Sequence, residues 1–435
     1  VADGAVLLDG NGRGTVVTVA APDATVRGFR IANSGGQVEE AAGIRILADR
    51  ARIEGNRIER AFTGIAVLGG AEVEIVDNEI IGTGRVTAGA GHAVEPAAEP
   101  PPTPAAAATD PHAAHAPGAG PAGQGDGISL WNTRGVLIRG NRIEQVRDGV
   151  YLNYAEEVLL DGNTVTRSRY AVHAMFGRDV VAFGNVLTDD LSGLVFMYTE
   201  DVLAGRNAIT DNRSPGTGFG IVLKDVRGVR LSENVVARNR TGLQVEGTVA
   251  TAEDEGLVSH NRFAANLVGV ALMATADLTF AGNAFDGNLT QILALEPGVE
   301  RRNRWTDRGY GNTWSDYAGF DLAGDGMGDV AHRSGGAAGA LVGEDPALEV
   351  YRTSPAFHVL EAAQAAWDAG RATVVHDGSP LTVDVAPPLA GTPIPGGDWA
   401  WYLLGAGLAV PSALALALAR PRAGGRALRA RSGAA

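Results

Sequence analysis

Along much of the chain apolar residues recur at every second position, in short runs such as Gly149-Val-Tyr-Leu-Asn153 and Gly193-Leu-Val-Phe-Met197. A period of two is the signature of strands, whose side chains alternate faces; a helix would repeat near 3.6. The runs themselves repeat. Asparagines stand at Asn56, Asn78, Asn141, Asn163, Asn185, Asn207, Asn234, Asn261 and Asn283, 22 residues apart wherever nothing intervenes. A small residue precedes most of them by 14 positions: Gly64, Gly127, Gly149, Ala171, Gly193, Gly220 and Gly269, each followed by Ile, Val or Leu. Short strands repeated at this period cannot bury an apolar face singly, so successive coils must stack. The predicted fold is all-β, a right-handed parallel β-helix of 22-residue coils over residues 1–303. Asparagine suits the sharp turn of each coil, tolerating a left-handed conformation and bonding to the asparagine of the next.

Breaks in the spacing mark insertions. Two are short, between Asn207 and Gly220 and between Gly242 and Asn261; the third, 84–124, is rich in Pro, Ala and Gly. Its composition cannot pack a core, so it is expected to form an exposed loop carrying His92, His112 and His115. After the coils, 304–385 reads as a cap, with Ser354 and Pro355 opening a helix over 354–369. A Pro-rich linker, 386–398, leads to 399–419, which carries no charge and at 1.5 Å per residue just spans a bilayer core of about 30 Å. Trp399, Trp401 and Tyr402 at one end and five arginines between Arg420 and Arg431 at the other predict a membrane helix. The basic tail 420–435 would then be cytoplasmic and the coils outside. The first residues read directly as strand and turn, so an export signal is expected upstream of Val1.

Composition sharpens this picture. The 60 glycines and 6% aromatics suit many short strands and tight turns. A net charge of −14 argues against a nucleic-acid partner, and the lack of cysteine leaves His, Met and carboxylates as metal ligands. Counted from the landmark glycine, the first and third residues point inward and the second and fourth to solvent. One outer strip then gathers Trp131, Tyr151, His173, Met175 and Met197, with Lys224 in line and Tyr154, Phe176 and Tyr198 one position further on. His173 and Met175 share a strand face, and Met197 lies over Met175; imidazole and thioether are the donors that select Cu(I). A partner surface is the other reading of so large an outward apolar strip. Asp321, Asp325 and Asp329 outline a calcium loop or a turn, although Ala323 stands where a third oxygen ligand belongs. No trusted carboxylate pair supports a lyase, hydrolase or epimerase, the alternative that the fold permits.

Several motifs are more specific: Tyr170-Ala-Val-His173-Ala-Met175-Phe176, Leu194-Val-Phe-Met197-Tyr198, Gly220-Ile-Val-Leu-Lys224-Asp225, Gly311-Asn-Thr-Trp314-Ser-Asp316-Tyr317 and Asp325-Gly-Met-Gly-Asp329. On these the chain resembles the NosD family, β-helical maturation proteins of nitrous oxide reductase, over nearly its whole length. The resemblance implies a periplasmic, non-enzymatic protein working with an ATP-binding-cassette transporter's ATPase and permease subunits. A small copper-chaperone lipoprotein and the reductase itself would be the further partners. It also implies that copper or a copper-handling partner meets His173, Met175 and Met197.

Overall fold

A computed structural model describes residues 6–83, 124–214, 217–248, 256–273, 277–294, 302–334 and 375–389, with positions 354, 356 and 359. Among the described residues the strands form a twelve-stranded and a twenty-stranded parallel sheet plus one small two-stranded sheet. In the larger sheets neighbours come from successive coils: Thr164–Thr166 pairs with Val186–Thr188, and Tyr170–Met175 with Ser192–Met197. This is the expected parallel β-helix. Inward columns such as Val150, Val172, Leu194 and Ile221 run along its axis and are buried. The landmark glycines are required by close approach. A Cβ on Gly149 would stand 2.5 Å from the Ala171 carbonyl oxygen, and one on Gly193 2.5 Å from that of Gly220.

The asparagines form a continuous buried ladder. In each coil the backbone N–H and the side-chain amide both donate to the next asparagine's Oδ1. Asn163 to Asn185 measures 2.9 and 3.0 Å, and Asn185 to Asn207 2.9 and 2.9 Å. The same amide group also donates to a strand carbonyl of the previous coil, as Asn185 does to Leu160 at 3.0 Å. One expectation is corrected: the left-handed conformation belongs to the residue before the asparagine, as at Gly140, Gly162, Gly184, Arg206 and Glu233. The asparagine follows that turn and faces inward to bond.

Five residues further on runs a second ladder. Ser168 N–H donates to Asp190, Asp190 N–H to Asn212, and the series continues through Asn239, Asn266 and Asn288. Asp190, the carboxylate of the series, and Asn212, whose buried Nδ2 finds no acceptor, depart from its pattern. Where Asn239 and Asn266 donate through Nδ2 to the carbonyls of Ile209 and Val236, Asp190 presents a second oxygen, buried and without a partner. Burial, reinforced by nearby Asp189, pushes its carboxyl well above the usual range, so the protonated acid can take the donor's part. A raised folded-state pKa stabilises fully below the unfolded value near 4 and is lost as pH rises through the folded value. Asp190→Asn is therefore expected to raise stability at neutral pH by about 1–3 kcal/mol and to flatten this slope. Urea unfolding at several pH values measures both.

The long insertion leaves the stack intact. Asn78 N–H donates to Asn141 at 3.0 Å, and Glu79–Ile81 pairs with Arg142–Glu144. Gln124, placed within the insertion by its sequence position, is buried and accepts from the Thr83 N–H and hydroxyl at 2.9 and 2.7 Å. At the far end Trp305 and Trp314 stack on Phe280 and Phe285, with ring centroids 4.4 and 4.3 Å apart, and close the core. Val375–Asp377 pairs with His332–Ser334. Asp377 terminates the ladder, its Oδ2 accepting from the Asn312 N–H at 2.8 Å and the Trp314 indole at 2.9 Å. Further on, buried Arg262 holds Asp384 and the Pro387 carbonyl, so this stretch of chain lies against the coils. The expected helix 354–369, apart from three positions, and the expected span 399–419 lie outside the described residues. Among those described, no helix is long and apolar enough to cross a membrane.

Candidate metal and partner face

The outer strip is built by register. Asn153, Met175, Met197 and Lys224 are direct Cα partners on successive strands, with Trp131 paired to Asn153. Tyr151, His173 and Val195 form the neighbouring column. Met175 and Met197 therefore lie side by side, and His173 shares their face. Exposure departs from expectation. Met175, Met197, Trp131 and Lys224 are half-buried, whereas Tyr151 and His173 are only 9% and 5% exposed. Strand alternation gives the side of the sheet, not what covers it. Here Tyr170 packs edge-on to the His173 ring at 5.0 Å, and Tyr151 lies against it at 5.1 Å.

Below His173 sits a charge cluster that sequence reasoning missed. Asp148, fully buried, takes a two-pronged ion pair from Arg169, with Nε at 2.8 Å and Nη2 at 2.6 Å. Its Oδ2 also lies 3.1 Å from His173 Nδ1. Burial alone would raise this carboxyl; the adjoining Arg169 guanidinium and the His173 hydrogen bond outweigh it and hold the group well below the ordinary carboxylate range. One coil earlier Arg147 grips Asp126 in the same way, at 2.9 and 2.8 Å. Burial and the negative charges of Asp126 and Asp148 push the Tyr151 phenol up to about 12. That hydroxyl donates weakly to the Met175 sulfur, 3.8 Å away. Two buried atoms of this patch, His173 Nε2 and Asn153 Oδ1, have no hydrogen-bond partner. Asn153, which register places between Trp131 and Met175, was not singled out from the sequence.

The aromatic side of the face is equally ordered. Tyr154 stacks on Phe176 at 5.1 Å and 13°, Phe176 on Tyr198 at 5.2 Å and 10°, and Trp131 meets Tyr154 edge-on at 5.9 Å. The three stacked residues have φ of 49°, 52° and 51°, and they are exposed. Asn132 and Asp225 fill the same turn in the flanking coils, residues that tolerate a left-handed backbone. Three bulky aromatics there carry backbone strain of about 1–2 kcal/mol each.

Elsewhere the picture is structural. The Asp321 carboxylate accepts from the Gly324, Asp325 and Gly326 amides, Asp325 from the Met327 amide, and Asp329 from the Leu322 amide. These side chains shape a turn. Among the described residues no three His or carboxylate groups gather at a metal-sized cluster.

Fold and face together define a parallel β-helix whose outer strip offers imidazole, thioether and aromatic groups. Residues 111–319 match the family described as periplasmic copper-binding protein (NosD). The Pseudomonas aeruginosa protein described as probable ABC transporter binding protein NosD is 36% identical over 388 residues, covering 86% of this chain and 81% of that one. Its Stutzerimonas stutzeri counterpart, described in the same words, is 32% identical over 392 residues, covering 86% and 80%. The chain belongs to the NosD family. Among solved structures, the A-module of the Azotobacter vinelandii mannuronan C-5 epimerase AlgE4 is 15% identical with a TM-score of 0.42, covering 72% of this chain and 85% of that one. The periplasmic alginate epimerase AlgG is 12% identical with a TM-score of 0.38, covering 66% and 63%.

Proposed function

We propose that this chain is a periplasmic accessory protein for copper-centre assembly in nitrous oxide reductase, binding Cu(I) transiently at His173, Met175 and Met197. It acts without catalysis, alongside the ATPase and permease of an ABC transporter and a copper-chaperone lipoprotein. The stretch 399–419 tethers it to the membrane. The supporting observation is the register: two thioethers on adjacent strands beside an imidazole whose one nitrogen is anchored and whose other is buried without a partner. Neutral soft donors of this kind bind Cu(I) in preference to hard cations. The column Tyr154, Phe176 and Tyr198, with Trp131, Tyr151 and Lys224 around it, supplies the docking surface for copper-handling partners.

A sugar-acting role fares worse. Stacked on one another, the rings of the exposed column use their faces among themselves and do not offer them to a pyranose. Anaerobic competition of the purified protein with a chromogenic Cu(I) chelator tests the copper reading. His173→Ala with Met175→Ala is expected to weaken Cu(I) binding at least about 100-fold, each lost ligand removing roughly tenfold or more. Unchanged affinity in that double variant rules the site out. Release of unsaturated or reducing sugar from a polyuronate would favour the enzyme instead.

A further inference from the structure

We infer that Asp148, held by Arg169, is a positioning residue that fixes His173 as its Nδ1–H tautomer and so presents Nε2 as a lone-pair donor to a soft monovalent cation. The inference deepens the copper reading and rests on it. A carboxylate engaged by both arms of a guanidinium can only accept hydrogen bonds, so the 3.1 Å contact requires the proton on Nδ1. The other nitrogen has no protein partner and is buried. A proton there would be a donor sealed from water with nothing to receive it, which costs more than an unoccupied lone pair. This is the reverse of the tautomer that an isolated neutral imidazole favours, so the site imposes it. The Tyr151 and Tyr170 rings, 5.1 and 5.0 Å away, pack against the imidazole. The carboxylate–imidazole pair is the arrangement by which proteins orient histidine toward a metal, and losing such a partner typically weakens metal binding about 10–100-fold.

Two-bond nitrogen–proton correlation spectra of the full chain labelled with nitrogen-15 histidine read the tautomer directly, before any metal is added. His173→Gln identifies the signals. The wild type is expected to show a protonated Nδ1 and an unprotonated Nε2; the opposite pattern overturns the inference without any further variant. Removing the pair together, Asp148→Ala with Arg169→Ala, avoids leaving a buried charge alone. This variant is expected to shift His173 toward Nε2–H and to weaken Cu(I) binding about tenfold or more in the chelator competition. An unaltered tautomer and unaltered affinity there would defeat the positioning role while leaving the copper site standing. Silver(I), as a redox-inert probe, is expected to shift the Nε2 resonance and not Nδ1. A wild-type chain that bound neither Cu(I) nor silver(I) would defeat the copper reading, and the inference with it, whatever the tautomer.

Discussion

Asp377→Ala is expected to destabilise the coils by about 3–5 kcal/mol, the summed effect of stranding several buried donors at roughly 1–3 kcal/mol each. The side chain is fully buried, and its Oδ2 ends the asparagine ladder on the Asn312 backbone N–H, with the Trp314 indole as a second donor. Its Oδ1 accepts from the Ser379 N–H at 3.1 Å. Each donor loses its acceptor at once in the alanine variant. Asp377→Asn keeps one acceptor oxygen and should cost about 1 kcal/mol, within the range of a single hydrogen bond. Urea unfolding gives the totals. Hydrogen exchange adds the location, because a stack of nearest-neighbour coils should open first at the end whose terminator is gone. Uniform loss of protection along the chain would contradict that account.

Asn185→Ala should be as severe from the middle of the ladder, at about 4–5 kcal/mol. Its Oδ1 receives the Asn163 backbone and side-chain amides, and its Nδ2 serves the Leu160 carbonyl and Asn207. Removing it orphans groups in two coils and leaves a cavity at a site 1% exposed. Asn185→Asp is the informative companion. It keeps the acceptor but sets an oxygen where a donor belongs, reproducing in the main ladder the condition of Asp190. Its stability should fall as pH rises, the sign worked out for Asp190. A pH-independent Asn185→Asp would show that water or a local shift satisfies the second oxygen.

The repeat was legible because a parallel β-helix writes its period into the sequence. Spacing alone stacked Met197 on Met175 and brought Tyr154, Phe176 and Tyr198 into one column, as the register has it. Burial on that face was not legible. Alternation assigns Tyr151 and His173 to the outside but says nothing of the Tyr170 ring and the Arg169–Asp148 pair that pack against His173. The Asp148–Arg169 pair was missed for a related reason: its members stand 21 residues apart, one short of the coil, so a search in strict register steps past it. A repeated Arg two residues before the landmark residue, at Arg147 and Arg169, was the available signal. The second ladder could also have been read, since Asn212, Asn239, Asn266 and Asn288 each follow a ladder asparagine by five. The left-handed turns could not, because Gly, Asp, Arg, Glu and His all occupy that slot.

The seam at Thr83 and Gln124 has a practical consequence. Coils on either side of it are locked by bonds that bypass the intervening segment altogether: Gly82 N–H to the Glu144 carbonyl at 2.8 Å, and Gly125 N–H to that of Phe62 at 2.8 Å. Lengthening a loop costs only a slowly growing closure entropy. The seam is thus a natural splice point, where a fluorophore or affinity handle could be exchanged for native sequence without disturbing the alignment of His173, Met175 and Met197.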